Sequence, residues 1–252
     1  TMLRVEGLNI GYQKGLLKES VDFKIQSGFT ALIGRNGTGK TTFLKTISGH
    51  LKPINGHCFL KDVDIYSLSA QQLATQISIV NTEKIRLSYL KVSELLALGR
   101  FPYTNFIGQL SAKDEAIIGS IVQKLNLERL LDKYLQALSD GELQKVMIAR
   151  AIVQDTPIVI LDEPATHLDL VNRYQIFQLL KSLSKELNKV ILLSTHEIEL
   201  ALQLADNIIL INEKEELIAA TLEDFIQGNH IQNAFHQTGI SFDSKTLRFK
   251  FD

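Results

Sequence analysis

One cysteine, Cys58, no tryptophan, two methionines and four prolines occur in 252 residues. A lone cysteine excludes an internal disulfide and any Cys-rich metal cluster, and it fits a reducing compartment. No apolar run reaches the ~18–20 residues that a membrane helix needs, so a membrane task would require another chain to form the passage. No secretion signal is expected ahead of the first strand, Leu3-Arg4-Val5-Glu6. Net charge is scarce as well: 27 Lys and Arg stand against 28 Asp and Glu, a balance of -1. No global field therefore draws the chain to nucleic acid or to an anionic membrane. What is abundant is hydrophobic sequence, 45 % of the residues, which suits a substantial core and argues against bulk disorder.

The apolar pattern predicts an α/β chain. Thr30-Ala31-Leu32-Ile33 is β-prone and runs into a glycine-rich turn, after which Thr41 to Ser48 reads as a helix. Ile158 to Leu161 and Val190 to Leu193 are continuous apolar runs, the mark of strands buried on both faces of a parallel sheet. A helical segment from Val171 to Leu187 lies between them, and Ile208 to Ile211 reads as a further strand. Val92 to Leu98 and Lys113 to Leu125 carry helical spacing with no strand between them, separated by the loop Gly99-Arg100-Phe101-Pro102-Tyr103. These runs predict one domain over residues 1–252. Its α/β core spans 1–86 and 155–220, a helical subdomain spans 87–154, and an appendage spans 221–252. The appendage mixes a helix with the alternating segment Leu247 to Phe251.

Three segments carry chemistry. Gly34-Arg35-Asn36-Gly37-Thr38-Gly39-Lys40-Thr41-Thr42 matches G-x-x-x-x-G-K-[ST] at a strand-to-helix turn. Gly34, Asn36, Gly37 and Gly39 let backbone N–H groups turn inward around phosphates, and the helix N-terminus adds its positive end through Thr42. Lys40 would reach the β- and γ-phosphates, and the Thr41 hydroxyl would coordinate Mg²⁺. Next, the strand Ile158-Val159-Ile160-Leu161 ends in Asp162-Glu163. Two carboxylates at a buried strand end are costly unless a cation uses one, which assigns Asp162 to Mg²⁺. Glu163 is then free to polarise an attacking water. Finally, His196 follows the pair Ser194-Thr195, is expected to begin a helix, and could touch the γ-phosphate or that water. His50, His57, His167, His230 and His236 show no metal-ligand spacing and are read as structural or surface residues.

With these residues in view, nearly the whole chain resembles the ATP-binding subunits of ABC transporters. The decisive match is Leu138-Ser139-Asp140-Gly141-Glu142-Leu143-Gln144, ahead of the helix Lys145 to Val153. It is similar to the family's Leu-Ser-Gly-Gly-Gln signature. The resemblance implies a P-loop nucleoside triphosphate hydrolase of ABC type, a mixed-sheet core with an antiparallel β-subdomain and an inserted helical subdomain. It further implies ATP and Mg²⁺ as ligands and a homodimer formed on ATP binding. In that dimer Ser139 and Gly141 of one protomer close over the other's nucleotide. Ser139 with Glu142 also fits a helix capping box, and both roles can coexist. Tyr12 resembles the aromatic that stacks on adenine, with ordinary packing as the alternative. Asp169, in Thr166-His167-Leu168-Asp169, corresponds to a residue that organises the dimer interface. Asn81, in Val80-Asn81-Thr82, falls where the family has a glutamine that contacts Mg²⁺ or water. Asn81 keeps the amide but is one methylene shorter, so its contact needs backbone adjustment or a bridging water. Asp140 and Glu142 depart from the signature and are expected to face away or to pair with a basic residue.

Val92 to Tyr103 resembles a stretch in subunits that drive importers of iron–siderophore complexes, haem and cobalamin. That implies integral membrane permease partners, an indirect link to a substrate-binding protein, no nucleic acid, and a peripheral place at the cytoplasmic face of the membrane. Exposed Phe101, Tyr103 and Phe106 would suit a protein-binding patch. The competing readings are a soluble ABC-type ATPase of repair, translation or iron–sulfur assembly, an exporter subunit, and a regulatory module that binds ATP without hydrolysis. Glu163 and His196 argue against the last.

Overall fold

The computed structural model describes residues 2–81, 89–105, 107–235 and 240–251. Thr82, Phe106 and His236 lie outside the described residues. In chain order the elements are β1 (Met2–Asn9), β2 (Val21–Gln26), β3 (Gly28–Ile33), α1 (Lys40–Ile47), β4 (Asn55–Leu60), β5 (Val63–Asp64), α2 (Ala70–Ala74) and β6 (Ile77–Val80). There follow α3 (Val92–Leu98), α4 (Ala112–Lys124), α5 (Asp140–Val153), β7 (Ile158–Asp162), α6 (Leu170–Glu186), β8 (Val190–Thr195), α7 (Ile198–Leu204) and β9 (Asn207–Ile211). The chain ends with β10 (Leu217–Thr221), α8 (Leu222–Gln227), α9 (His230–Phe235), β11 (Ile240–Asp243) and β12 (Arg248–Phe251).

Two sheets organise the core. The first is antiparallel, in the order β2-β1-β4-β5. The second runs β10-β9-β3-β8-β7-β6, parallel throughout except for β10 at its edge. The continuous apolar runs have a simple cause. On β3, Phe29, Ala31 and Ile33 enter the cluster beneath the helices, whereas Leu32 enters the cluster shared with β1 and α1. The same division separates Val159 and Leu161 from Ile158 and Ile160 on β7. Both faces are therefore apolar, although the side chains still alternate.

Parallel pairing brings the strand ends that matter to one rim. Ile33 pairs with Thr195 and Asp162 pairs with Ser194, so the segments after β3, β7 and β8 emerge side by side. Helices α3 to α5 fall between β6 and β7, and both α3 and α4 pack on α5.

The expected loop after α3 is tighter than the sequence suggests. Phe101–Tyr103 forms a 3₁₀ turn with Pro102 inside its first turn. Gly99 approaches α5 so closely that a Cβ would sit 2.6 Å from the Arg150 carbonyl oxygen. Arg100 is buried; its Nε donates to Asp114 Oδ1 at 2.8 Å and its Nη1 donates to the Val153 carbonyl at 2.8 Å. The Tyr103 ring lies 4.0 Å from the guanidinium carbon, while Phe101 remains exposed. Asp114 also accepts from the Ser111 hydroxyl and N–H, which close a capping box at the start of α4. The Ser111 hydroxyl, the Ser111 N–H and Arg100 together hold the Asp114 carboxyl down to about 2.

Two boundaries differ from expectation. Helix α5 starts at Asp140 rather than Lys145, because Ser139 caps it. His196 does not begin a helix; it sits on a bend, and α7 starts at Ile198 after the Glu197 N–H has been taken by Thr195 Oγ1 at 2.9 Å. The C-terminal segment packs onto the core through buried Phe225 and Ile231, and Phe249 meets Phe235 and Phe242 edge-on.

Candidate nucleotide site

The β3–α1 turn is shaped by close approach. At Gly34 (φ +156°) a Cβ would lie 2.5 Å from the Ile211 carbonyl oxygen, a backbone atom that cannot swing aside. Gly39 (φ +103°) caps α1 from a left-handed conformation, with Leu16 pressed against it. Lys40 is buried with its Nζ donating to the carbonyls of Gly34 at 2.9 Å and Arg35 at 3.2 Å. Burial lowers its pKa, while the negative charges of Glu163 and Asp162 oppose that shift.

Asp162 sits at the end of β7. Its Oδ2 accepts from Thr41 Oγ1 at 2.9 Å, and its Oδ1 accepts from Ser194 Oγ at 2.5 Å. Ser194 Oγ in turn accepts the Glu163 N–H at 2.9 Å. Sequence reasoning does not assign Ser194 to the site, yet a polar group ending an apolar buried strand is the same kind of signal that marks Asp162. A hydroxyl and a carboxylate oxygen side by side are hard donors that suit Mg²⁺ completing its shell with phosphates and water. Among the described residues no group of three or more His, Cys, Asp and Glu could hold a metal by itself.

Glu163 occupies the left-handed region at φ +48°, a conformation that costs a non-glycine residue about 1–3 kcal/mol. Its Oε1 lies 2.5 Å from His196 Nε2 and 3.9 Å from Lys40 Nζ, and its Oε2 accepts from Thr166 Oγ1 at 3.2 Å. The carboxylate thus faces the histidine and the phosphate loop together. Asn81, exposed just beyond β6, lines a cavity of about 610 Å³ with Thr41, Asp162 and Arg150.

The remaining residues sit further out. Tyr12 is 66 % exposed, which excludes ordinary packing, and Leu16 of its loop abuts Gly39. Ser139 accepts the Glu142 N–H, and Glu142 Oε2 accepts from the Ser139 N–H at 2.9 Å. That N–H, with the Ser139 hydroxyl and Lys133 behind it, lowers the Glu142 pKa. Glu142 thus turns back onto its own helix cap and towards Lys133, 3.8 Å away, and Asp140 is exposed. Gly141 lies against α6, where a Cβ would meet Asn172 Oδ1 at 2.9 Å. Asp169 caps α6 by accepting the Asn172 N–H at 2.8 Å. Lys40, Thr41, Asp162, Glu163 and His196 therefore form one cluster, while Ser139 is exposed at the start of α5.

This fold and this cluster define a P-loop nucleotide hydrolase. A family profile described as ABC transporter matches residues 19–166. An uncharacterised ABC transporter ATP-binding protein of Methanocaldococcus jannaschii is 37 % identical over 236 residues, covering 93 % of this chain and 81 % of that one. The achromobactin transport ATP-binding protein of Dickeya dadantii is 33 % identical over 215 residues, covering 85 % and 80 %. Among solved structures, a dimeric post-hydrolysis ATP-binding cassette bound to ADP and Pi aligns with a TM-score of 0.72 at 26 % identity, over 87 % of this chain and 98 % of that one. The chain belongs to the ABC transporter family, as an ATP-binding and ATP-hydrolysing subunit. Among the described residues no helix is long and apolar enough to cross a membrane.

Proposed function

We propose that the chain energises an importer of iron chelates, hydrolysing Mg²⁺–ATP as a homodimer beneath integral membrane permease subunits at the cytoplasmic face. The observation that carries the hydrolytic part is the Glu163 carboxylate, 2.5 Å from His196 and adjacent to the Thr41–Asp162 pair. ATP would lay its phosphates along the N–H groups of residues 34–42, with adenine on Tyr12. Lys40 would then exchange the Gly34 and Arg35 carbonyls for the β- and γ-phosphates. Thr41 and Asp162 would hold Mg²⁺, with Asn81 reaching it through a water; the ion neutralises charge on the phosphate oxygens. Glu163 accepts a hydrogen bond from the attacking water, and His196 fixes the carboxylate where it faces the γ-phosphate.

A single protomer leaves the γ-phosphate open to solvent, and catalysis requires fixed donors around it. The exposed Ser139 and the half-buried Gly141 of a second copy supply those donors, with Asp169 at the interface. A two-fold contact of this kind makes two equivalent sites. The dimeric ADP-and-Pi cassette supports this assembly. Closure would shift residues 87–154 against the core, and exposed Phe101 and Tyr103 would carry the shift to the permease. The achromobactin-transport relative supports an iron–siderophore cargo, delivered by a substrate-binding protein.

The test is Glu163→Gln. ATP binding is retained and turnover falls by about 10²- to 10⁴-fold, the range of lost general-base assistance. Normal turnover in that variant contradicts the role of Glu163. Cargo is tested by identifying the ligand on a binding protein co-purified with the transporter; a ligand without iron contradicts that assignment.

A further inference from the structure

Glu163 and His196 come from different segments, one following β7 and the other following β8, and their carboxylate–imidazole contact is short. A side chain outside the motifs ties those two segments together. Arg173, in the first turn of α6, donates from Nε to the Leu168 carbonyl at 2.6 Å, and its Nη1 pairs with Glu197 Oε1. Leu168 belongs to the turn that begins at Glu163, a turn knitted by Thr166 N–H to the Glu163 carbonyl and by Leu168 N–H to the Ala165 carbonyl. Glu197 directly follows His196, and its own N–H is fixed by Thr195 Oγ1 at the end of β8.

The contacts form a closed ring. From Glu163 it runs through the turn to Leu168, across Arg173 to Glu197, back one residue to His196, and to the Glu163 carboxylate. The guanidinium suits this task because its planar fork presents two donors at a fixed angle, one for a carbonyl and one for a carboxylate. A lysine ammonium could serve either acceptor but would not hold both in one orientation.

We propose that Arg173 is a positioning residue for the Glu163–His196 pair, setting the spacing of the two segments that carry it. The inference rests on the hydrolytic reading of that pair. Arg173 acts through the turn that precedes α6 and the segment that follows β8. As the pair with Glu197 is partly exposed, its contribution to global stability is small. Removing it should therefore affect chemistry far more than folding.

The experiment measures ATP hydrolysis by the purified chain carrying Arg173→Met, Arg173→Lys or Glu197→Gln, each in the parent and in a His196→Ala background, alongside Glu163→Gln. Arg173→Met is expected to lower kcat by about tenfold or more with KM for ATP nearly unchanged, the signature of lost alignment. Arg173→Lys and Glu197→Gln, each keeping one limb of the bridge, are expected to fall between parent and Arg173→Met. In the His196→Ala background the further loss is expected to be under about twofold, because groups acting as a unit are not additive. A purely structural residue would instead lower the melting temperature and cost the same factor in both backgrounds. Parental kcat in Arg173→Met, or an equal loss with and without His196, overturns the inference while Glu163→Gln remains inactive. Full turnover in Glu163→Gln overturns the hydrolytic reading itself.

Discussion

Replacing Asp114 by Asn should unsettle the fold beside the exposed Phe101–Tyr103 turn, and its size can be worked out from the contacts. Asp114 and Arg100 are both buried, and their Nε–Oδ1 contact is 2.8 Å. The carboxyl is held at about 2 against an ordinary 3.8, a difference worth about 2 kcal/mol of stability at neutral pH. The Arg100 attraction is already part of that shift, so a neutral Asn in place of the carboxylate should cost about 2–3 kcal/mol. The Asn carbonyl can still accept from the Ser111 cap, which favours the lower end. The sign follows from a depressed carboxyl: the stabilisation is complete above the unfolded value of 3.8 and disappears as pH falls through about 2. Urea denaturation near neutral pH and at points between about pH 5 and 2 should show parent and variant converging in acid. A gap under about 1 kcal/mol at neutral pH, or one that does not narrow in acid, would show that the Asp114–Arg100 pair does not stabilise the fold.

Two further substitutions probe the site's backbone. Gly34→Ala should abolish tight ATP binding, measured by fluorescent-nucleotide titration, because the new Cβ meets the Ile211 carbonyl at 2.5 Å and must push the loop off β9. Affinity within a factor of two of the parent would contradict the close-approach argument. Ser194→Ala should cost about 1–3 kcal/mol in urea denaturation by leaving the Glu163 N–H unpaired, and should lower kcat by releasing Asp162. An unchanged kcat would show that Ser194 does not steady Asp162.

The phosphate loop was legible because its chemistry demands adjacent residues: a glycine where a Cβ cannot fit, then Lys40 and Thr41 at the start of α1. Strands β7 and β8 were legible because both faces are buried, so that every residue reports the same environment. The reasons for the misses are equally local. Strand β10 is only half-buried at the sheet edge, so its residues gave no periodic signal. The sequence predicts a helix opening at His196, but Thr195 Oγ1 takes the Glu197 N–H and delays α7 to Ile198. The ties that fix the site's surroundings join distant residues, Arg100 to Asp114 and Arg173 to Glu197, and no spacing rule announces a partner set by tertiary packing. The Gly99–Tyr103 segment stands out in sequence only by resemblance; the buried guanidinium gives a physical reason for its composition.

Sedimentation of the Glu163→Gln chain with Mg²⁺ and either ATP or ADP tests most directly whether the γ-phosphate is enclosed by two copies. A dimer is expected with ATP, a monomer with ADP, and loss of the ATP dimer when Ser139 is also replaced. A chain that stays monomeric with ATP, even with its permease supplied, would contradict that enclosure.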